Sequence, residues 1–506
     1  MAESTDARGI RPASVGRRSL LAGTVAAAGT AIATGLPATA QAATTAVTEP
    51  ARFPAGRPLL IRGATVVTMD RVRGILPDTD VLVVDKRIKA VGKRLAAPQA
   101  TAVIEAKGAL LIPGFVDTHR HMWQSTLRGI GVDWTLNDYF GAMQALLPHL
   151  RPEDVYAGNH LGMVEAVADG VTTVVDWSHG SSTPAHADAA VDALTAVPGR
   201  ARWAYGRFGF DTSWVTSGEV ERIRAARFSS DDQLVTMQLA LDLSSDDFAA
   251  AAAVAALRHA GRQSLPVTMH TGIFGLNPDA LIAHLADNGF LSPTTTLVHA
   301  ATLTDDSYRR IADSGAFVSL SAESELNAGQ GYPPTGAARR FGIPISLSMD
   351  TVVWWSGDMF SAMRATLSAE RGLTHLRAHA RGEQVTGHDL RAADVLHYAT
   401  LGGAEALGMA DRIGSITPGK LADLVLLRQD TPSMTPVNHP VGHLVFQAGR
   451  GDIDTVIVGG RVLKHRGELI GLDLVRARRL AEASRDHFRA AVGETAWQRF
   501  VDPPRT

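Results

Sequence analysis

Along the middle of the chain, short apolar runs that end on a polar residue alternate with longer stretches of helical period. Leu110–Phe115, Val171–Asp176, Arg202–Phe208, Leu234–Leu241, Leu265–His270, Thr295–His299, Ala316–Ser321 and Ile343–Asp350 read as buried strands. Between them, Pro152–Asp169, Ser245–Ala260, Asn277–Asn288 and Thr304–Ser314 repeat their apolar residues every three or four positions, as amphipathic helices do. Strands that alternate with helices predict a parallel sheet, and eight of them predict an α/β fold, a (β/α)8 TIM barrel. The chemistry of such a barrel belongs at the C-terminal ends of its strands.

The pattern changes on either side of this block. LLIRGATVVTM, DVLVVDKRIKAVG and AVIEAKGALLIPG precede it, and GSITPGKLADLVLL (Gly414 to Leu427) and DTVIVGGRVLKHRGEL (Asp454 to Leu469) follow it. All show period-two alternation and tight-turn residues, which predicts a small flanking β-sandwich domain built from N- and C-terminal segments. The expected division is residues 58–110 and 411–470 for this domain, 111–410 for the barrel and 471–506 for a C-terminal helix and tail. Within that tail, LVRARRLAEASRDHFRAAV reads as an amphipathic helix with a solvated basic face.

Composition narrows the chemistry. The 506 residues are 45% hydrophobic and 20% charged, and the formal net charge is −2. A near-neutral chain gives no electrostatic reason to bind nucleic acid or an anionic membrane, so the expected partner is a small-molecule substrate. The sequence holds no cysteine, which removes thiolate metal sites, cysteine nucleophiles and disulfides and leaves His, Asp and Glu to hold any metal. Residues 1–42 carry Gly16-Arg17-Arg18-Ser19-Leu20-Leu21, a weakly apolar Ala-rich stretch and the small residues Ala40-Gln41-Ala42. That order resembles a twin-arginine (Tat) export signal, with Gly16 where Ser or Thr is usual, and it implies a periplasmic or extracellular protein with no stable membrane insertion. Residues 43–57 read as a linker.

At the strand ends, His119 and His121 stand two apart after the first run, so an extended segment projects both imidazoles to one side. Such a pair is half a metal site that suits Zn²⁺. Asp176 and His179, Asp211 and Asp242 follow the next three runs. His270 closes PVTMH, His299 closes TTLVH, Glu323 and Glu325 follow VSLSA, and Asp350 closes PISLSMD.

These residues, with PGFVDTHRH, GVTTVVD, VTMHTG, LVHAATLTDD, SLSMD and the tail GSITPGKLADLVLL, resemble the amidohydrolase superfamily over Pro58 to Leu469. Within it, the match is to the branch of cytosine/guanine deaminases and triazine (ATZ/TRZ-type) hydrolases. The resemblance implies one divalent metal ion, Zn²⁺ or Fe²⁺, on His119, His121, His270 and Asp350. His299 would stand beside the attacking water and Asp350 would serve as its general base. It also implies hydrolytic deamination or related C–N hydrolysis of a heterocycle, by a homo-oligomer of two or more chains. No lysine ends the fourth run, where binuclear members of the superfamily carry a bridging one.

One departure matters. Deaminases of this branch carry a Glu shortly after the third His, whereas this chain reads His270-Thr271-Gly272-Ile273-Phe274-Gly275. Glu323 or Glu325 is then the expected proton donor, and a better leaving group than ammonia would need less help. Trp123, Gln124, Trp134 and Trp354-Trp355 are placed to wall a pocket for a planar substrate, with Trp177, Ser178 and His179 near the same mouth. Arg128 and Arg364 are available to an anionic group, although surface ion pairing is the commoner fate of arginine. An amide-opening or dehalogenating hydrolase, or a barrel that binds a metabolite without turnover, are the competing readings.

Overall fold

The computed structural model describes residues 53–248, 251–273, 275 and 277–503. The export signal read over residues 1–42, and most of the linker after it, lie outside the described residues.

Eight parallel strands form the central sheet. In chain order they are Phe115–Arg120, Val171–Ser178, Arg200–Tyr205, Val235–Ala240, Val267–Thr271, Thr295–His299, Phe317–Leu320 and Ile345–Leu347. Each pairs with the next, and the ring is closed by Asp350 N–H to His119 O (3.0 Å) and His121 N–H to Asp350 O (2.7 Å). Helices return outside the sheet, among them Pro152–Ala168, Pro278–Asp287, Asp305–Ser314 and Met359–Ala380. Their apolar faces bury Val155, Met163, Leu281, Leu285, Tyr308 and Phe360 against the strands. The (β/α)8 barrel is the observed fold.

The first strand differs from its prediction. The apolar run Leu110–Phe115 is divided at Gly114: Leu110–Pro113 belongs to a second sheet, and the barrel begins at Phe115. A continuous apolar run is compatible with either sheet, and hydropathy holds no mark of where the chain passes between them.

That second sheet has nine strands, and the backbone ladder that joins its two halves is antiparallel pairing of Leu110–Pro113 with Leu424–Leu427. On one side follow Leu59–Val67, Ile75–Val84 and Arg87–Gly92, with Ala102–Glu105 alongside Leu59–Val67; on the other follow Ile453–Val458, Arg461–His465 and Glu468–Leu469. Val81 and Val462, from distant strands of this order, share one buried cluster with Ile61, Leu424 and Ile457. The sheet thus folds back on itself around its own core.

It abuts the N-terminal end of the barrel. Gly114 N–H donates to Asp423 O (2.9 Å), and Arg200, the first residue of the third strand, donates to the Asp423 carboxylate (Nε to Oδ2, 3.0 Å). The C-terminal helix Leu474–Val492 buries Ala477, Ala481 and Phe488, and its Ser484 reaches Thr126 in the turn after the first strand. No helix among the described residues is long and apolar enough to cross a membrane.

Candidate metal centre and cavity

The residues that follow Phe115 are held by an internal framework before they can hold anything else. Asp117 is fully buried; its Oδ2 accepts from Arg120 Nε (2.9 Å) and its Oδ1 from the backbone N–H groups of His119 (3.3 Å) and Met349 (3.2 Å). Burial pushes the Asp117 carboxyl up to about 6, against the pull of the Arg120 guanidinium. One carboxylate therefore ties the end of the first strand to that of the eighth.

Three imidazoles converge beside it. His119 Nε2 lies 3.3 Å from His270 Nε2 and 3.3 Å from Asp350 Oδ1, and His121 Nε2 lies 3.4 Å from the same oxygen. The second nitrogens are committed elsewhere. His121 Nδ1–H donates to Trp177 O (2.9 Å) and His270 Nδ1–H to Asp242 Oδ1 (2.8 Å), so both rings present a lone pair at Nε2. Burial lowers His121 to about 4 and His119 well below its ordinary range, which keeps them neutral. For Asp350, burial opposes ionisation, but the His119 hydrogen bond and the surrounding imidazoles hold the carboxyl well below the usual carboxylate range. Lone pairs on nitrogen therefore face a carboxylate oxygen with no proton between His121 and Asp350. Acceptors aimed at one another repel unless a cation lies among them. The donor set of three histidines and one aspartate is what a borderline-soft divalent ion takes, so the residues present fit a metal.

A second layer fixes this cradle. Ser324 Oγ donates to Asp350 Oδ2. Glu325, 1% exposed, accepts from His299 Nδ1 (3.3 Å) and Ser321 N–H (2.8 Å), which leaves His299 Nε2 for the site. His299 and Asp350 adopt φ of 71° and 57°, left-handed conformations that non-glycine residues take at a cost of about 1–3 kcal/mol and that cluster at functional sites. Gly272 (φ 65°) packs so closely on this turn that a Cβ there would lie 2.5 Å from the Ala300 backbone.

The cradle opens into a cavity of about 350 Å³. Beyond His121, His179, Asp242, His270, His299 and Asp350, its walls are mostly apolar: Leu136, Phe140, Phe208, Phe210, Leu243, Ile273, Leu281 and Trp354, with Tyr139, Gln330 and Thr351 as polar points. No lysine or arginine lines it among the described residues. Arg128 is paired with Glu165 (2.8 Å), and Arg364 donates to the Ala448 carbonyl (3.0 Å).

The predicted residues separate into groups. His121, His270, His299 and Asp350 gather around His119, and Trp354 lines the cavity. Trp123 and Gln124 do not: both are fully buried behind the wall, where Trp123 Nε1–H donates to His179 Nδ1 (2.8 Å) and Gln124 Nε2 donates to Tyr139 Oη (2.7 Å). Glu325 sits behind His299 rather than in the cavity, and Glu323 accepts from Ser356 Oγ (2.9 Å) outside the cavity lining. Ile273, 7% exposed, lines the cavity three residues after His270 and offers no acid there. Tyr139, Ser324, Phe208 and Phe210 were not singled out from the sequence. Only the position of Ser324 between two strand-end glutamates offered a signal.

A sequence model of the amidohydrolase family matches residues 110–463. A 5'-deoxyadenosine deaminase of Methanothermobacter thermautotrophicus is 30% identical over 445 residues, covering 84% of this chain and 97% of that protein. A 5-methylthioadenosine/S-adenosylhomocysteine deaminase of Pyrococcus furiosus is 27% identical over 411 residues, 78% of this chain and 92% of its own. Among solved structures, a zinc-bound adenosine deaminase from Xanthomonas campestris superposes with a TM-score of 0.72 at 26% identity, over 86% of this chain and 100% of that one. The zinc complex of an atrazine chlorohydrolase from Arthrobacter aurescens shares the fold, with a TM-score of 0.72 at 22% identity over 84% of this chain and 100% of that one. The chain belongs to the amidohydrolase family: it is a metal-dependent hydrolase of carbon–nitrogen bonds, built on a (β/α)8 barrel whose histidines and aspartate could hold a divalent ion.

Proposed function

We propose that this protein is an exported one-zinc hydrolase that replaces an amino or comparable leaving group on an uncharged, planar heterocycle with hydroxyl. The observation that carries this is the convergence of His119 and His121 Nε2 on Asp350 Oδ1, with His270 Nε2 beside His119 Nε2, at an apolar cavity. His119, His121, His270 and Asp350 would hold the ion, which when bound lowers the pKa of water towards about 7. Asp350, steadied by Ser324, takes the proton of the attacking water, and His299, oriented by Glu325, aligns that water with the carbon. The apolar walls exclude bulk solvent and select a flat, neutral substrate. The deaminase activities of the 30% and 27% identical relatives support amino-group removal.

A second reading has its own support. Buried Ile273 leaves the position after His270 without an acid, which favours a group that departs with little protonation, such as halide. The twin arginine and Ala-rich stretch of residues 1–42 support export.

The test is elemental analysis of protein purified without residues 1–42, followed by screening of aminated and halogenated heterocycles for ammonia or halide. About one zinc per chain, lost in His270→Ala, with product from at least one class, is expected. Two ions per chain, or none after reconstitution, overturns the one-zinc reading. Export is followed by secretion of the full chain, which Arg17→Lys with Arg18→Lys should abolish.

A further inference from the structure

Tyr139, on the helix Leu136–Leu146, is 6% exposed and shares the cavity with His121, Asp350 and Thr351. Its oxygen receives two donors. Gln124 Nε2, an amide nitrogen that only donates, is 2.7 Å away. The orientation of that amide is set from behind: Thr351 Oγ1 donates to Gln124 Oε1 (2.5 Å), and Met143 Sδ lies 3.3 Å from Nε2. The other neighbour is His179 Nε2, at a longer 3.4 Å. Its protonation is decided on the far side of the ring, where the Trp123 indole N–H, which can only donate, lies 2.8 Å from His179 Nδ1. Nδ1 must then carry the lone pair and Nε2 the proton. With donors on both sides of its oxygen, Tyr139 has no acceptor among the described residues for its own hydrogen, which is left to whatever occupies the cavity.

We propose that the Tyr139 hydroxyl donates a hydrogen bond to the substrate acceptor atom, a ring nitrogen or carbonyl oxygen, next to the carbon under attack. Trp123 and His179 are then positioning residues that keep Tyr139 a donor. The assignment rests on the hydrolytic reading of the site. As water adds to an sp² carbon, negative charge gathers on the adjacent heteroatom, and a donor already in place in a dry cavity stabilises it without moving. The phenol keeps its proton throughout, so no atom is transferred. Burial pushes Tyr139 upward from its ordinary range, which keeps it a neutral donor. Tyr139 supplies a donor in a cavity that the hydrocarbon of Ile273 also lines.

The test uses full-length, zinc-loaded enzyme and Tyr139→Phe, which keeps the ring against Trp354 (centroids 5.0 Å apart). A fall in kcat/KM of about 10²-fold is expected, with zinc content and thermal midpoint unchanged. Trp123→Phe should lower kcat/KM about tenfold, and far less in the Tyr139→Phe background, because both act through one hydroxyl. Tyr139→Phe within about threefold of wild type, or full additivity in the double variant, overturns the proposal. If Trp123→Phe does not fold, Tyr139→Phe decides alone.

Calorimetric binding of 4-hydroxyquinazoline, a neutral acceptor-bearing heterocycle without a leaving group, separates this idea from the reading on which it rests. About tenfold weaker binding by Tyr139→Phe is expected. If that difference holds while no substrate releases ammonia or halide, the functional reading fails and the role of Tyr139 in ligand recognition stands. Equal binding by both proteins, or none by the wild type, overturns the role of Tyr139.

Discussion

The two ends of the barrel bury polar groups to opposite purposes. At the N-terminal end, Arg200 and Asp423 form a buried pair, with Nε to Oδ2 at 3.0 Å and Nη2 to Oδ1 at 3.4 Å; Gly459 N–H donates to the same carboxylate at 2.6 Å. Each charge there is answered by protein. At the C-terminal end, a His121 lone pair faces the Asp350 carboxylate, His299, Ala300 and Asp350 take left-handed backbone, and His119 Nδ1 has no hydrogen-bond partner among the described residues. The first end is satisfied without a ligand; the second is arranged for one. Stability and reactivity are therefore separable by position along the strands.

Mutation should break the two ends differently. Asp350→Asn removes a ligand and the proposed general base, and kcat/KM should fall more than about 10³-fold with loss of bound metal, while the metal-free variant unfolds close to metal-free wild type. Asp423→Ala strands the Arg200 charge and should cost about 3–5 kcal/mol in denaturant unfolding, with kcat of the folded fraction unchanged. Should Asp423→Ala abolish metal binding in protein that remains folded, the separation of the ends is wrong. Asp242→Asn leaves the ligands in place but removes the charge that holds the His270 ring, so metal affinity, measured by competition with a chelator, should drop about 10–100-fold.

The smallest effect lies outside the metal site, at Asp169, two residues before the second strand. Burial, then the neighbouring Glu165 charge, push its carboxyl up to about 7, against Arg450. The folded state thus holds a proton that the unfolded chain releases near pH 4. The stability tied to this group is whole below about pH 4 and is lost as pH rises towards 7. Asp169→Asn should flatten that decline between pH 5 and 7.5, measured by urea unfolding. A decline equally steep in the variant would show that other groups set it.

Much of this architecture is written in local pattern. Seven of the eight apolar runs coincide with barrel strands, because parallel strands buried on both faces are rich in apolar residues, whereas Leu110–Phe115 reaches the barrel only at its last residue. The His-x-His of the first run and the His and Asp that end later runs found the cradle for the same reason: a polar residue at the end of a buried strand has few places to go. What stayed hidden depends on direction in space. Gly114 separates two sheets without any change in hydropathy. Trp123 and Gln124 follow His121 directly but turn behind the wall, and Tyr139 comes into the cavity on a helix whose sequence carries no mark of chemistry. Glu323 and Glu325 are two apart on a helix and so point in different directions, one to Ser356 and one to His299.

Trp134 packs on Trp354, a wall of the cavity, and its indole N–H donates to Phe500 O (2.7 Å), 366 residues further along. Ribosomes that add about 5–20 residues each second need roughly 20–70 s to cover that distance. The brace on Trp134, which packs on the cavity wall at Trp354, therefore forms only near the end of synthesis. Maturation of the pocket is in this sense a late event in the life of the nascent chain, and substitutions near Phe500 should affect the yield of active protein more than the turnover of molecules that have already matured.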